Sequence, residues 1–91
     1  MPRSPQQFDL EDCSILITGA NRGLGAALCK TILQYSLKII HAGYRSTPGN
    51  FEDPRIRWCQ LDIQDAASVA NAVASVHELD VLINNAGILI P

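Results

Sequence analysis

The run Ile15-Leu16-Ile17-Thr18-Gly19-Ala20-Asn21-Arg22-Gly23-Leu24-Gly25 restricts the fold more than any other part of the chain. An apolar run stops at a threonine, glycines follow at 19, 23 and 25, and helical spacing begins at once. A strand, a tight glycine turn and a helix start satisfy that pattern. Such a turn gathers bare backbone N–H groups and the positive end of a helix dipole at one point, where a phosphate can sit. Glycine is needed there because some turn positions require φ > 0, and because a Cβ would block a pyrophosphate or hold the helix off the strand. The spacing is not G-x-G-x-x-G, and no Lys-Ser or Lys-Thr follows the last glycine, so this is not a Walker loop. A strand–helix turn that uses its glycines for geometry alone is the other reading of these residues.

The 91 residues fit one domain at most, and chains this short bury a smaller share of their surface. A formal net charge of -2 suggests neither nucleic acid nor an anionic membrane as partner. No apolar run approaches the ~20 residues of a membrane span, and residues 1–7 carry no apolar signal-peptide core. Cys13, Cys29 and Cys59 are odd in number and include no C-x-x-C pair. They read as reduced thiols of an intracellular, cytoplasmic protein, with no metal site and no disulfide framework expected.

Taken in order, residues 1–12 are polar, with prolines at 2 and 5, and read as a flexible N-terminal extension. Ser14 to Thr18 is the first strand, apolar throughout its centre, as in a parallel sheet covered on both faces. From Gly23 to about Tyr35 a helix is expected, with Leu24, Leu28, Ile32 and Tyr35 on its apolar stripe and Ala27 widening it. Leu37 to Gly43 reads as a second strand, with His41 packed within it or, on a functional reading, catalytic. Gly43 to Pro54 is dense in breakers and reads as loop. Ile56 to Leu61 is a third strand anchored by Trp58. Asp65 can cap a second helix carrying Ala66, Val69, Val73 and Val76 on one face, closed by His77 and Glu78. No chemistry is assigned to His77. Leu79 to Ile83 is a fourth strand, and Asn84-Asn85-Ala86-Gly87 follows it. Repeated β-α units with right-handed crossovers give an α/β fold, the first half of a Rossmann-type parallel sheet of order 3-2-1-4 with helices on its faces. Residues 13–91 form that partial domain.

Three places besides the glycine turn carry candidate chemistry. Arg45 stands at the end of the second strand, where an acidic residue would accept a free adenosine ribose and an arginine can pair with a 2′-phosphate. Arg22 can reach the same phosphate from the glycine turn, and Ser46 can add a hydroxyl donor. These residues favour NADP(H) over NAD(H); plain solvation of both arginines is the alternative. Asp62 ends the third strand and can accept the adenine amino group beside the Ile63 backbone, or it can share helix capping with Asp65. In Asn84-Asn85-Ala86-Gly87, the small Ala-Gly pair lets backbone approach a ribose or nicotinamide, and asparagine amides can tie strand ends together or bind the cofactor.

With these residues together, the chain resembles the N-terminal part of the short-chain dehydrogenase/reductases. It is most similar to their carbonyl-reductase-like branch, in which Asn-Arg-Gly-Leu-Gly, Leu-Asp-Ile and Leu-Asp-Val-Leu-Ile-Asn-Asn-Ala-Gly recur in this order. The likeness covers residues 14–88. It implies a dinucleotide held at Gly19, Asn21, Arg22, Gly23, Leu24, Gly25, Arg45, Asp62, Ile63 and Asn85; Thr18, Ser46, Ala86 and Gly87 join these as cofactor-binding candidates on the reading of the residues themselves. It also implies hydride transfer between nicotinamide and a carbonyl or alcohol.

The catalytic Ser and Tyr-x-x-x-Lys of that family have no counterpart among these 91 residues. Tyr35 and Lys38 stand at Tyr-x-x-Lys spacing on the wrong elements and read as structural. The expectation is therefore a cofactor cradle without a catalytic residue, truncated after Asn-Asn-Ala-Gly. The complete parent would take a small carbonyl substrate and could be a homo-oligomer. The alternatives are a short, non-catalytic product that binds dinucleotide or a full-length relative, and a product without a stable fold, whose fourth strand would be an exposed apolar edge.

Overall fold

A computed structural model describes residues 10–85. In chain order it holds β1 (Ser14–Ile17), α1 (Gly23–Ile32), β2 (Ile39–Tyr44), β3 (Ile56–Gln60), α2 (Ala66–Ser75) and β4 (Val81–Ile83). All strand pairings are parallel and the sheet order is β3-β2-β1-β4. This is the expected Rossmann-type arrangement, and it brings the turn after β1 next to the C-terminal ends of β2 and β4.

The two faces of the sheet differ. Ile15, Ile17, Ile40, Ala42 and Ile56 point to the α1 side and form the core with Ala20, Cys29 and Leu37. The register sets Ile15 beside Ile40, Ile17 beside Ala42, and Ile40 beside Ile56, so branched side chains stack across three strands. Trp58 continues this layer and meets Phe51 edge to face at 5.1 Å between ring centres, which pins the loop before β3. On the α2 side, Leu16, Leu61 and Leu82 line an apolar groove with Val69, Val73, Val76 and Leu79. Leu82 is 58% exposed and Val73 68% exposed, so that groove is open to solvent.

Several expected boundaries and faces differ from those observed. α1 ends at Ile32 instead of running to about Tyr35. Arg55 donates to the carbonyl oxygens of Leu33 (2.6 Å) and Tyr35 (2.8 Å), which satisfies the helix end from another segment. The face of α1 that meets the sheet is Gly25 and Cys29, with Ile32 and Leu33 partly buried, while Leu24 and Tyr35 are exposed. The cause is close approach: the helix is drawn onto the glycine turn, where only small residues fit, and Leu24 is left outside. α2 likewise fully buries Ser68 and Ala72, whereas of the expected stripe Val69 and Val76 are half-buried and Ala66 and Val73 exposed, and it stops at Ser75 before His77 and Glu78. Ser68 faces inward because its hydroxyl bonds to the end of β3.

The strand limits also shift. β2 begins at Ile39, two residues later than expected, with the N–H groups of Lys38 and Ile39 both turned to the Cys13 carbonyl, and it includes Gly43 as expected and runs one residue further, through Tyr44. β4 is shorter than expected. Asp80 precedes it and exchanges two bonds with Ser14, from its own N–H to the Ser14 carbonyl (2.8 Å) and from Ser14 N–H to its carboxylate (2.7 Å). Leu10, the first described residue, packs partly buried against the core cluster, and the rest of the expected extension before it lies outside the described residues.

Candidate functional site

The turn after β1 is built by two left-handed glycines, Gly19 (φ 63°) and Gly23 (φ 59°). Gly25 serves a different need: a Cβ there would overlap the Gly19 carbonyl and lie 2.7 Å from Asn85 Nδ2. At Gly23 a Cβ would meet nothing within 4 Å, so this residue borders open space and is constrained by its backbone angle alone. Arg22 is the N-cap of α1, it gives the helix no side-chain cap, and the first turn holds no acidic residue. The leading N–H groups of α1 thus receive no acceptor from the N-cap side chain. That combination suits a phosphate group. In α2 the equivalent groups are satisfied, since Asp65 accepts from the N–H of Ala67 (3.0 Å) and Ser68 (3.4 Å). Asp65, and not Asp62, is therefore the cap of the second helix.

A hydrogen-bonded knot fixes the turn to β4. Thr18 N–H donates to the Ile83 carbonyl (3.1 Å). The buried Thr18 hydroxyl donates to Asn84 Oδ1 (3.2 Å) and accepts from Asn85 N–H (2.8 Å). Asn85 Nδ2 then donates to the Gly19 carbonyl (3.2 Å). From the β2 side, the Gly43 carbonyl accepts from Ala20 N–H at 2.7 Å. Of the roles considered for the asparagine pair, tying strand ends together is the one made among the described residues. Ala86 and Gly87 lie outside those residues.

Asn21, Arg22, Arg45 and Ser46 share one polar cavity of about 560 Å³, which Thr47, Pro48, Gly49 and Asn50 also line. The two arginines thus line one space. The contribution of residues 47–50 was missed because a breaker-rich loop carries no periodic signal; its polar side chains were the only clue. Asp62 is joined to Arg45, with Oδ2 3.6 Å from Nε, while Oδ1 accepts from Gln64 N–H (3.0 Å). Ile63 and Asn84 open instead onto the apolar groove of about 310 Å³ beside α2.

The remaining titratable groups lie elsewhere. His41 sits in β2 next to Arg57 of β3, and burial, followed by the Arg57 charge, pushes its pKa below the usual histidine value. Cys29 is buried on the sheet-facing side of α1 and its thiol is pushed up to about 11, mainly by burial, so it is a poor nucleophile. Lys38 pairs with Glu78 at 2.8 Å, and Tyr35 contributes its carbonyl to Arg55; neither approaches the glycine turn. Among the described residues no group of three or more His, Cys, Asp or Glu side chains is placed to hold a metal ion. None of the described helices is long and apolar enough to cross a membrane.

Comparison with known proteins gives this geometry a family. Gluconate 5-dehydrogenase of Gluconobacter oxydans (strain 621H) is 32% identical over 95 residues, covering 92% of this chain and 37% of that enzyme. The crystal structure of a short chain dehydrogenase from Burkholderia cenocepacia J2315 in complex with NADP superposes with a TM-score of 0.83 at 34% identity, over 89% of this chain and 35% of that one. The NADPH-bound carbonyl reductase from chicken fatty liver does so with a TM-score of 0.78 at 32% identity, over 88% and 36%. The chain spans about a third of the length of these relatives. The short chain dehydrogenase family matches residues 14–91, from the first residue of β1 onward, and the chain belongs to that family of oxidoreductases.

Proposed function

We propose that this chain is the NADP(H)-binding portion of a short-chain dehydrogenase/reductase whose complete form reduces a ketone or aldehyde. The observation that carries the reading is the single cavity shared by Asn21, Arg22, Arg45 and Ser46, next to a helix N-terminus without a side-chain cap. In this reading the backbone of Gly19, Gly23, Leu24 and Gly25 receives the pyrophosphate. Arg22, Arg45 and Ser46 receive the 2′-phosphate of the adenosine ribose. Asp62 accepts the adenine amino group, with the Ile63 backbone beside it. Thr18 and Asn85 hold the turn in shape. When bound, the nicotinamide supplies the hydride; this chain's residues bind and orient it, and none of them is assigned a catalytic role.

The NADP- and NADPH-bound neighbours support a 2′-phosphorylated cofactor, and the carbonyl reductase among them supports a carbonyl substrate. A cytoplasmic setting agrees with an odd number of cysteines that includes no C-x-x-C pair. Cofactor titration of the Arg45→Ala chain tests the reading. NADPH affinity should fall roughly ten- to a hundredfold, the scale of a charge-assisted contact, while NADH affinity stays nearly the same. An equal loss for both cofactors would remove Arg45 from the 2′-phosphate.

A further inference from the structure

Arg45 is held at both ends by a ring of contacts that runs through α2. Its carbonyl accepts from Gln60 Nε2 (3.0 Å), Gln60 Oε1 accepts from Ser68 Oγ (2.7 Å), and Ser68 Oγ accepts from Asp62 N–H (2.8 Å). Asp62 Oδ2 then returns to Arg45 Nε at 3.6 Å, while its other oxygen is fixed by Gln64 N–H. Two features of this ring are unusual for a surface arginine. Ser68, its hub, is 4% exposed, although the Arg45 side chain is 72% exposed. The contact to the guanidinium is made through Nε, which leaves both terminal amino groups available to a two-pronged acceptor such as a phosphate. An exposed ion pair adds little stability. What the ring restricts is the direction of a long side chain that would otherwise sample many rotamers.

We propose that Ser68 and Gln60, neither of which borders the cavity, are positioning residues that aim Arg45 and so set the preference for NADP(H) over NAD(H). This rests on Arg45 being the 2′-phosphate contact. Ser68 works through the backbone of Asp62, and Gln60 through the carbonyl of Arg45. A hydroxyl inside α2 is thereby coupled to a choice made at the far end of β2. The bonds of the ring share donors and acceptors in sequence, so each polarises the next, and removal of one member loosens the whole.

Isothermal titration of NADPH and NADH into the wild-type chain, Ser68→Ala and Gln60→Met tests this. In both variants Asp62 keeps its bonds from Gln64 N–H and Asp65 N–H, so its adenine contact survives, and that contact is common to the two cofactors. The expected result is a loss of NADPH affinity of about fivefold, with NADH changed by less than about twofold. Gln60 is exposed, and its replacement leaves the core intact, so Gln60→Met decides alone if Ser68→Ala fails to fold. A wild-type preference for NADPH that both folded variants retain overturns the positioning role and leaves the cofactor reading standing. An equal loss for both cofactors also overturns it, since that is what general loosening of the site would give. A wild-type chain without a preference for NADPH overturns the cofactor reading and the positioning role with it.

Discussion

Gly23 and Gly25 are two residues apart and are glycine for opposite reasons. Gly23 has room for a side chain and an angle that disfavours one; Gly25 has an ordinary angle and no room. Gly23→Ala should cost about 1–2 kcal/mol, the price of placing an L-residue in the left-handed region. Gly25→Ala must push the Gly19 carbonyl and the Asn85 amide aside, and these hold the turn to β4, so its cost should be larger. Urea unfolding of the two variants checks the order. Equal or reversed effects would show that the helix can slide off the turn at little cost. The sequence marked both positions as special, but a spacing of glycines does not say which of them lacks space and which needs the angle. That distinction depends on what lies across the turn.

At the scale of elements, the segment between β2 and β3 finishes the helix before it. Arg55 caps the C-terminal carbonyls of α1 and is held in place by Asp53, through Nε to Oδ1 (3.0 Å) and a second nitrogen to Oδ2 (3.1 Å). The Asp53 carboxyl lies below the usual carboxylate range, first because of the Arg55 side-chain bond and then because of the Arg55 backbone N–H. A carboxyl lowered in the folded state contributes its stability above the ordinary value, about 4, and loses it as pH falls through the folded value. Thermal melts should therefore show an acid limb below about pH 4 that Asp53→Asn flattens. Arg55→Met should lower the melting temperature at every pH, because the Leu33 and Tyr35 carbonyls lose their donor. An acid limb identical in Asp53→Asn and wild type would dismiss this pair as a stabilising element. Periodicity extended α1 to Tyr35 because no local signal shows that a residue more than twenty positions later closes the helix at Ile32.

At the scale of the molecule, the sheet is covered unequally. The α1 face is sealed by aliphatic packing, while the α2 face leaves Leu82, Val73, Leu79 and Ile63 exposed along one groove. Parallel sheets are stable when both faces are covered, and an open apolar groove next to an edge strand favours association. The purified chain should self-associate with rising concentration, and Leu82→Lys should shift it toward monomer in sedimentation velocity without changing NADPH affinity. The same distribution for both proteins would mean that this groove does not drive association. Leu82 sits in the edge strand β4, so a lysine there also discourages strand pairing.

The β-α pattern with right-handed crossovers was enough to expect a parallel sheet, and the order 3-2-1-4 followed from reading that pattern, with its glycine turn, as the first half of a Rossmann-type sheet. The glycine turn was legible because it depends on residue type and on position after a strand end, both of which are local; of Arg45, its place directly after β2 was legible for the same reason. The inward faces of the helices were decided by the tertiary structure. In α1 the close approach to Gly19 selects Gly25 and Cys29 over Leu24. In α2 the polar end of β3 selects Ser68 over the valine stripe. Hydrophobic spacing ranks side chains by their dislike of water. It cannot register that a helix turns its smallest or most polar residue inward when the surface it meets offers a carbonyl to pack against or a backbone N–H to accept.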